Sequence, residues 1–121
     1  MVPRLLAVQQ GVDVWDVEQA VVTDGEAALQ LLDRERFDAV LLDLNLPPID
    51  SWLVLAALGS RPERPRIVVA VGNQREVERA QALGADVCVV AGTTAPARAL
   101  TSAWQRHQVG TSRPTPSSVR G

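Results

Sequence analysis

The run Ala39-Val40-Leu41-Leu42 ends on a single acid, Asp43, and the chain then turns at Pro47-Pro48 before a new amphipathic stretch opens at Asp50. A continuous apolar run bounded by turn signals reads as a strand buried on both faces. This is a severe constraint, because such a strand needs a covering layer on each side of its sheet. An acid at the carboxyl end of the strand sits where open α/β sheets place their ligands. It is equally a turn-forming or helix-capping acid by its local pattern.

Other apolar runs repeat the signature at Arg4 to Val8, Ala20 to Val22, Ile67 to Val71 and Val87 to Val90. Helical patterns lie between them. Asp24 caps a helix start, Glu26 is an acid in its first turn, and Ala27, Ala28, Leu31 and Leu32 fall on one face. Asp50-Ser51 opens a helix to Leu58, and Asn73 opens one over Arg75 to Leu83 with Gly84 as its stop. Thr94 and Pro96 start a last helix through Leu100 and Trp104 to about His107. Strands alternating with helices predict an α/β fold, a doubly wound five-stranded parallel sheet of order 2-1-3-4-5. One domain over residues 1–108 is expected, with a disordered tail at 109–121 rich in Ser, Thr, Pro, Gly and Arg.

Composition closes off several functions. An apolar share of 46% with 21% charged residues is globular. No run reaches the length of a membrane span and no leader is visible, so a cytoplasmic chain that meets no membrane is expected. A net charge of −2 argues against direct nucleic-acid binding. Cys88 stands alone in an apolar run and reads as a small core residue; His107, also alone, predicts no transition-metal site. No paired catalytic carboxylates and no Ser-His or Cys-His arrangement suggest an enzyme. All 12 basic residues are Arg, so no mechanism can use a lysine ammonium; there is no Tyr, and Phe37 is the sole Phe. The Arg-only, Ala- and Val-rich usage points to a high-GC bacterial source.

Asp24-Gly25-Glu26-Ala27-Ala28-Leu29, then Phe37 to Pro47 with Asp43 at its centre, then Asp50 and Gly84-Ala85-Asp86, resemble the receiver domain of two-component response regulators. The resemblance covers roughly residues 4 to 107 and implies the flavodoxin-like fold just derived. It implies that Asp43 matches the aspartate that accepts a phosphoryl group from a histidine kinase, and that the backbone carbonyl of Asn45 matches a Mg²⁺ ligand. It also marks departures. The pair of Mg²⁺ acids after the first strand is matched by Gln9 and Gln10. The Ser or Thr and the Lys that bind phosphoryl oxygens are matched by Ala70 and Ala91, and the aromatic switch by Cys88. Asp13 and Asp16 lie just beyond the glutamines as surface acids or as replacement ligands.

A topological departure joins these. About eleven residues separate Val8 from Ala20, near the minimum for a parallel crossover, so the family's first helix is expected to be shortened or missing. The sheet face it would cover is then filled by Val12 and Trp15, or left for another chain. The family's signalling face, built on the last two helices and the fifth strand, would carry Arg79, Arg98 and Trp104, with Glu76, Glu78 and Arg106 also on those helices.

The reading that joins these points is an atypical receiver, a pseudo-receiver acting without phosphorylation as a signalling or dimerisation module. Its partner would be a protein or a second copy of itself, and it would need no cofactor. With no DNA-binding output domain after the receiver-like part, its output is expected through contacts of this chain. The alternative is a working receiver phosphorylated on Asp43, which would require Mg²⁺. A third reading is a small-ligand α/β domain for a nucleotide or cobalamin. No Gly-rich phosphate loop supports it, and Thr93-Thr94 offer only a generic helix N-terminus.

Overall fold

Five strands run parallel in the order β2-β1-β3-β4-β5. The elements of the computed structural model are β1 (Arg4–Val8), β2 (Glu18–Val22), α1 (Gly25–Arg34), β3 (Ala39–Asp43), α2 (Asp50–Gly59), β4 (Arg66–Val71), α3 (Arg75–Ala82), β5 (Val87–Val90) and α4 (Pro96–Ser112). It describes residues 2–9, 11, 12, 14, 16–44, 50–91 and 95–112, with backbone alone for residues 50 and 107–112. The expected doubly wound sheet is therefore present. Two boundaries differ from the periodicity by two residues or more. β2 begins at Glu18, two residues before Ala20, because pairing with Arg4 extends the ladder past its apolar part. α4 continues past His107 to Ser112, so residues 109–112 of the expected tail are helical, while 113–121 lie outside the described residues.

Alternation divides the core between two faces. Leu6, Val8, Val40, Leu42, Ile67 and Val69 meet the inward sides of α1, α2 and α3 through Ala28, Leu32, Val54, Leu55, Leu58 and Ala80. Leu5, Ala7, Ala39, Leu41, Val68 and Ala70 form the opposite face, under Leu100, Ala103 and Trp104 of α4. Every residue of β3 is buried, as expected of a central strand covered on both sides. Asp24 accepts a hydrogen bond from the Ala27 amide at 2.8 Å, which starts α1 where the sequence places it.

Two aspartates pin the lower end of the sheet. Asp38 precedes β3; its amide donates to the Arg4 carbonyl at 2.8 Å and its carboxylate accepts from the Arg4 amide at 2.7 Å. Asp86 precedes β5 and repeats the arrangement on Ile67, at 2.9 and 2.8 Å. Each supplies a partner for a backbone amide that the ladder leaves unmet at a strand's first turn of pleat. Arg64 pairs with Asp86 at 3.3 Å, and Arg4 stacks over Phe37 with its guanidinium 4.8 Å from the ring centre.

The three helices on one face and the single helix on the other follow from the first connection. Only residues 9–17 join β1 to β2, and their described members contain no helix. Val12 and Val14 are buried against Leu5, Ala7 and Trp104, so the first of them plugs the face as expected; Trp15 lies outside the described residues. Trp104 is only 4% exposed. This corrects its expected place on a partner-facing surface, since the indole fills space over β3 and β4 instead. Trp104→Ala should therefore lower the unfolding free energy by about 3–5 kcal/mol in urea denaturation; a loss under about 1 kcal/mol, the scale of a surface substitution, would contradict this packing.

Candidate functional site

The carboxyl ends of β1, β3, β4 and β5 bring the expected site positions together. Asp43 closes β3 and is 2% exposed. Its register partner is Ala70 on β4, fully buried, and the Leu44 amide donates to the Ala70 carbonyl at 2.9 Å. Ala91 follows β5, is 5% exposed, and its amide donates to the Val71 carbonyl at 2.9 Å. On the other side, Gln9 follows the Val8–Leu42 pair and is half-buried. The acid thus lies in register with an alanine on the neighbouring strand, and a second alanine follows the end of β5. The Asp43 carboxylate is not without a partner of its own. Gln10, Asp13, Asn45, Thr93 and Thr94 lie outside the described residues.

The loop after β4 is held by a reciprocal pair. The Glu76 amide donates to Asn73 Oδ1 at 3.3 Å, and Glu76 Oε1 accepts from the Gly72 amide at 2.9 Å. The arrangement is related to a capping box, but the carboxylate reaches one residue further back, to the Gly72 amide in the loop. Sequence reasoning placed Asn73 as a cap but missed the return bond from Glu76, although an acid three residues after a capping Asn is its signal. Glu76 also acts on Cys88: burial pushes the thiol up from its ordinary value, and the nearby carboxylate pushes it further in the same direction.

The remaining expected residues separate. Arg79 lies over Trp52, its guanidinium 4.5 Å from the ring centre, so it ties α3 to α2 within the chain. Arg98 is exposed on α4 and borders a groove on the far face of the sheet. The two arginines therefore stand on different faces. Trp104 is in the core, as described above.

A receiver-type phosphoryl transfer draws on Mg²⁺, which takes oxygen ligands, carboxylates foremost, in near-octahedral geometry. Among the described residues no three His, Cys, Asp or Glu side chains converge. Among the described residues, then, no carboxylate cluster fits the ion. Among the described residues, no helix is long and apolar enough to cross a membrane.

Comparison with known proteins follows the geometry. The model of the response regulator receiver domain matches residues 5–107. Sensory transduction protein RegX3 of Mycobacterium tuberculosis is 39% identical over 71 residues, covering 57% of this chain and 31% of that protein. RegX3 of Mycobacterium bovis matches to the same extent. The chain spans about a third of the length of these curated relatives (31%). Among solved structures, the phosphorylated cyanobacterial phytochrome response regulator RcpA superimposes with a TM-score of 0.71 at 20% identity, over 95% of this chain and 100% of that one. The chemotaxis response regulator CheY4 of Vibrio cholerae gives 0.69 at 21% identity, over 88% and 98%. At these identities the structural likeness establishes the fold.

The raised Cys88 thiol has a consequence for stability. A group whose value is raised on folding contributes stability that is complete below its unfolded value and is lost as pH climbs through the folded one. The melting temperature should fall more steeply above the ordinary thiol range for the native chain than for Cys88→Ala, as read by circular dichroism across alkaline pH. Parallel curves would contradict the assignment.

Proposed function

The chain belongs to the response regulator receiver-domain family of two-component signalling, and from that premise we propose that it is a pseudo-receiver that works through protein contacts without being phosphorylated. The observation that carries this reading is the setting of Asp43, 2% exposed and paired in register with Ala70, with Ala91 after the end of β5. A carboxylate that accepts a phosphoryl group meets three anionic oxygens, and catalysis of such transfers is almost entirely positioning and charge neutralisation. Methyl groups at positions 70 and 91 donate nothing to those oxygens. With no Lys anywhere in the sequence, no shift of alignment restores an ammonium. Losing the metal's share of charge stabilisation alone is worth several kcal/mol of barrier.

The scaffold has its own reasons to persist. Asp43 ends a fully buried strand. The reciprocal bonds of Asn73 and Glu76 hold the next loop in one arrangement without a ligand. Such a module has one permanent surface to offer, in keeping with a cytoplasmic role as a sensory transduction component that recognises a protein or itself.

The test is direct. The chain is incubated with acetyl phosphate and Mg²⁺ and its intact mass measured under acid conditions that preserve acyl phosphates. No phosphoryl increment is expected. An increment that disappears in Asp43→Ala would replace this reading with that of a working phosphoacceptor.

A further inference from the structure

α2 is apolar on every side. Of its residues only Asp50 and Ser51 are polar, and Ser51 is buried. A helix of this composition belongs in an interior. Val54, Leu55 and Leu58 do pack on the sheet. The opposite stripe, formed by Leu53, Ala56 and Ser60, does not. Leu53 is 64% exposed, more than any other large apolar side chain among the described residues. Ser60 keeps its hydroxyl on the Ala56 carbonyl at 2.7 Å, so the ridge presents no unmet donor.

This helix is the middle one of its layer. α1 lies over β1 and β2, α2 over β3, and α3 over β4 and β5. Arg61, just past α2, pairs with Asp33 of α1 at 2.7 Å, and Arg79 of α3 stacks over Trp52 of α2. These contacts fix which side of each neighbour is turned to α2. On α1 it is the side of Asp33, shared by Glu26 two turns earlier; on α3 it is the side of Arg79, shared by Arg75 one turn earlier. The helical turn carries the opposite charges, Arg34 and Glu78, to the sides away from α2. The apolar ridge is therefore bordered by acids on one flank and by arginines on the other. Glu26 and Arg75 are both exposed and both stand in the first turn of their helices. Among the described residues neither makes an ion pair within the chain.

We propose that this three-helix face is where a second copy of the chain docks, ridge on ridge, about a two-fold axis running along α2. The proposal rests on the pseudo-receiver reading and names that module's partner. Two like faces laid on each other are related by an axis in the contact plane, either across α2 or along it. The axis across α2 would set α1 on α1 and α3 on α3, acid against acid and arginine against arginine. The axis along α2 sets the two middle helices parallel, with Leu53 against Leu53, and places each α1 opposite the other copy's α3. Glu26 then meets the second copy's Arg75, and the symmetry forms this pair twice. An isologous contact requires a self-complementary patch, which an apolar ridge between an acidic and a basic flank provides. Helix separation depends on the side chains at the crossing, and Ala56 and Ser60 permit a close one.

Sedimentation equilibrium of the full chain over a concentration series, at low salt and without phosphodonor, tests the proposal. A dimer is expected. Leu53→Arg should weaken it at least about tenfold, because it sets two cations together in a desolvated contact. Glu26→Arg and Arg75→Glu should each weaken it, and the double exchange should restore it, since both pairs re-form with their signs reversed. Restoration separates the pair from any loss of helix stability, and circular dichroism verifies the fold of each variant. Arg98→Glu, on the opposite face of the sheet, should leave the dimer unchanged. A monomer at every concentration, a dimer indifferent to Leu53→Arg or lost with Arg98→Glu, or a double exchange no better than the weaker single variant would each overturn the docking surface. A monomer that also refuses the phosphoryl group overturns this inference and leaves the pseudo-receiver standing. A chain that dimerises only after phosphoryl transfer to Asp43 overturns both.

Discussion

Two parallel strands must be joined by a chain that returns from the top of one to the bottom of the next, and β1 and β2 have only residues 9–17 for it. A five-residue strand spans roughly 17 Å. A helix covering that distance takes about eleven residues at 1.5 Å each, before any turn at either end. The described residues of the crossover accordingly form no helix, and much of the molecule's asymmetry follows. Val12 and Val14 take the place of a helix face, Trp104 is drawn in over the central strands, and one flank of α4 is left bordering a groove.

The short first crossover and the small side chains at positions 70 and 91 are independent in physics, yet both are compatible with an intact sheet. The sheet is sustained by two-sided burial of β1, β3 and β4 and by the aspartate clamps at its lower end. Ala70 and Ala91 are buried at the strand ends without a polar group to satisfy, whereas a hydroxyl or ammonium there would need a partner. On the proposed reading, the scaffold persists without the reaction, with Asp43 as the end of its central strand.

Much of this was legible in the residues. Apolar runs ending on Val8, Asp43 and Val71 marked three strand ends correctly, because a strand buried on both faces has no polar position to blur its pattern, and the partly exposed edge strand β5 kept an apolar run to Val90 as well. β2 was misjudged at its start since an edge strand tolerates Glu18 and Gln19, whose side chains carry no apolar signal. Trp104 was misplaced because helical periodicity gives a face but not what lies beneath it, and only the short crossover decides how deep that face sinks. Asp38 and Asp86 looked like ordinary loop acids. Their role depends on strands 34 and 19 residues away in sequence. At the site, Asp43 and Ala70 are register partners, while Arg79 is taken up within the chain by Trp52.

The central claim is that the sheet presents Asp43 without the groups that would make it receive a phosphoryl anion. Beryllofluoride with Mg²⁺ mimics that anion on an aspartate, and a ¹H–¹⁵N correlation spectrum reports on every backbone amide around it. Titration should leave the amides of Asp43, Leu44, Ala70 and Ala91 where they are. Saturable shifts centred on Asp43, absent in Asp43→Asn, would contradict the account.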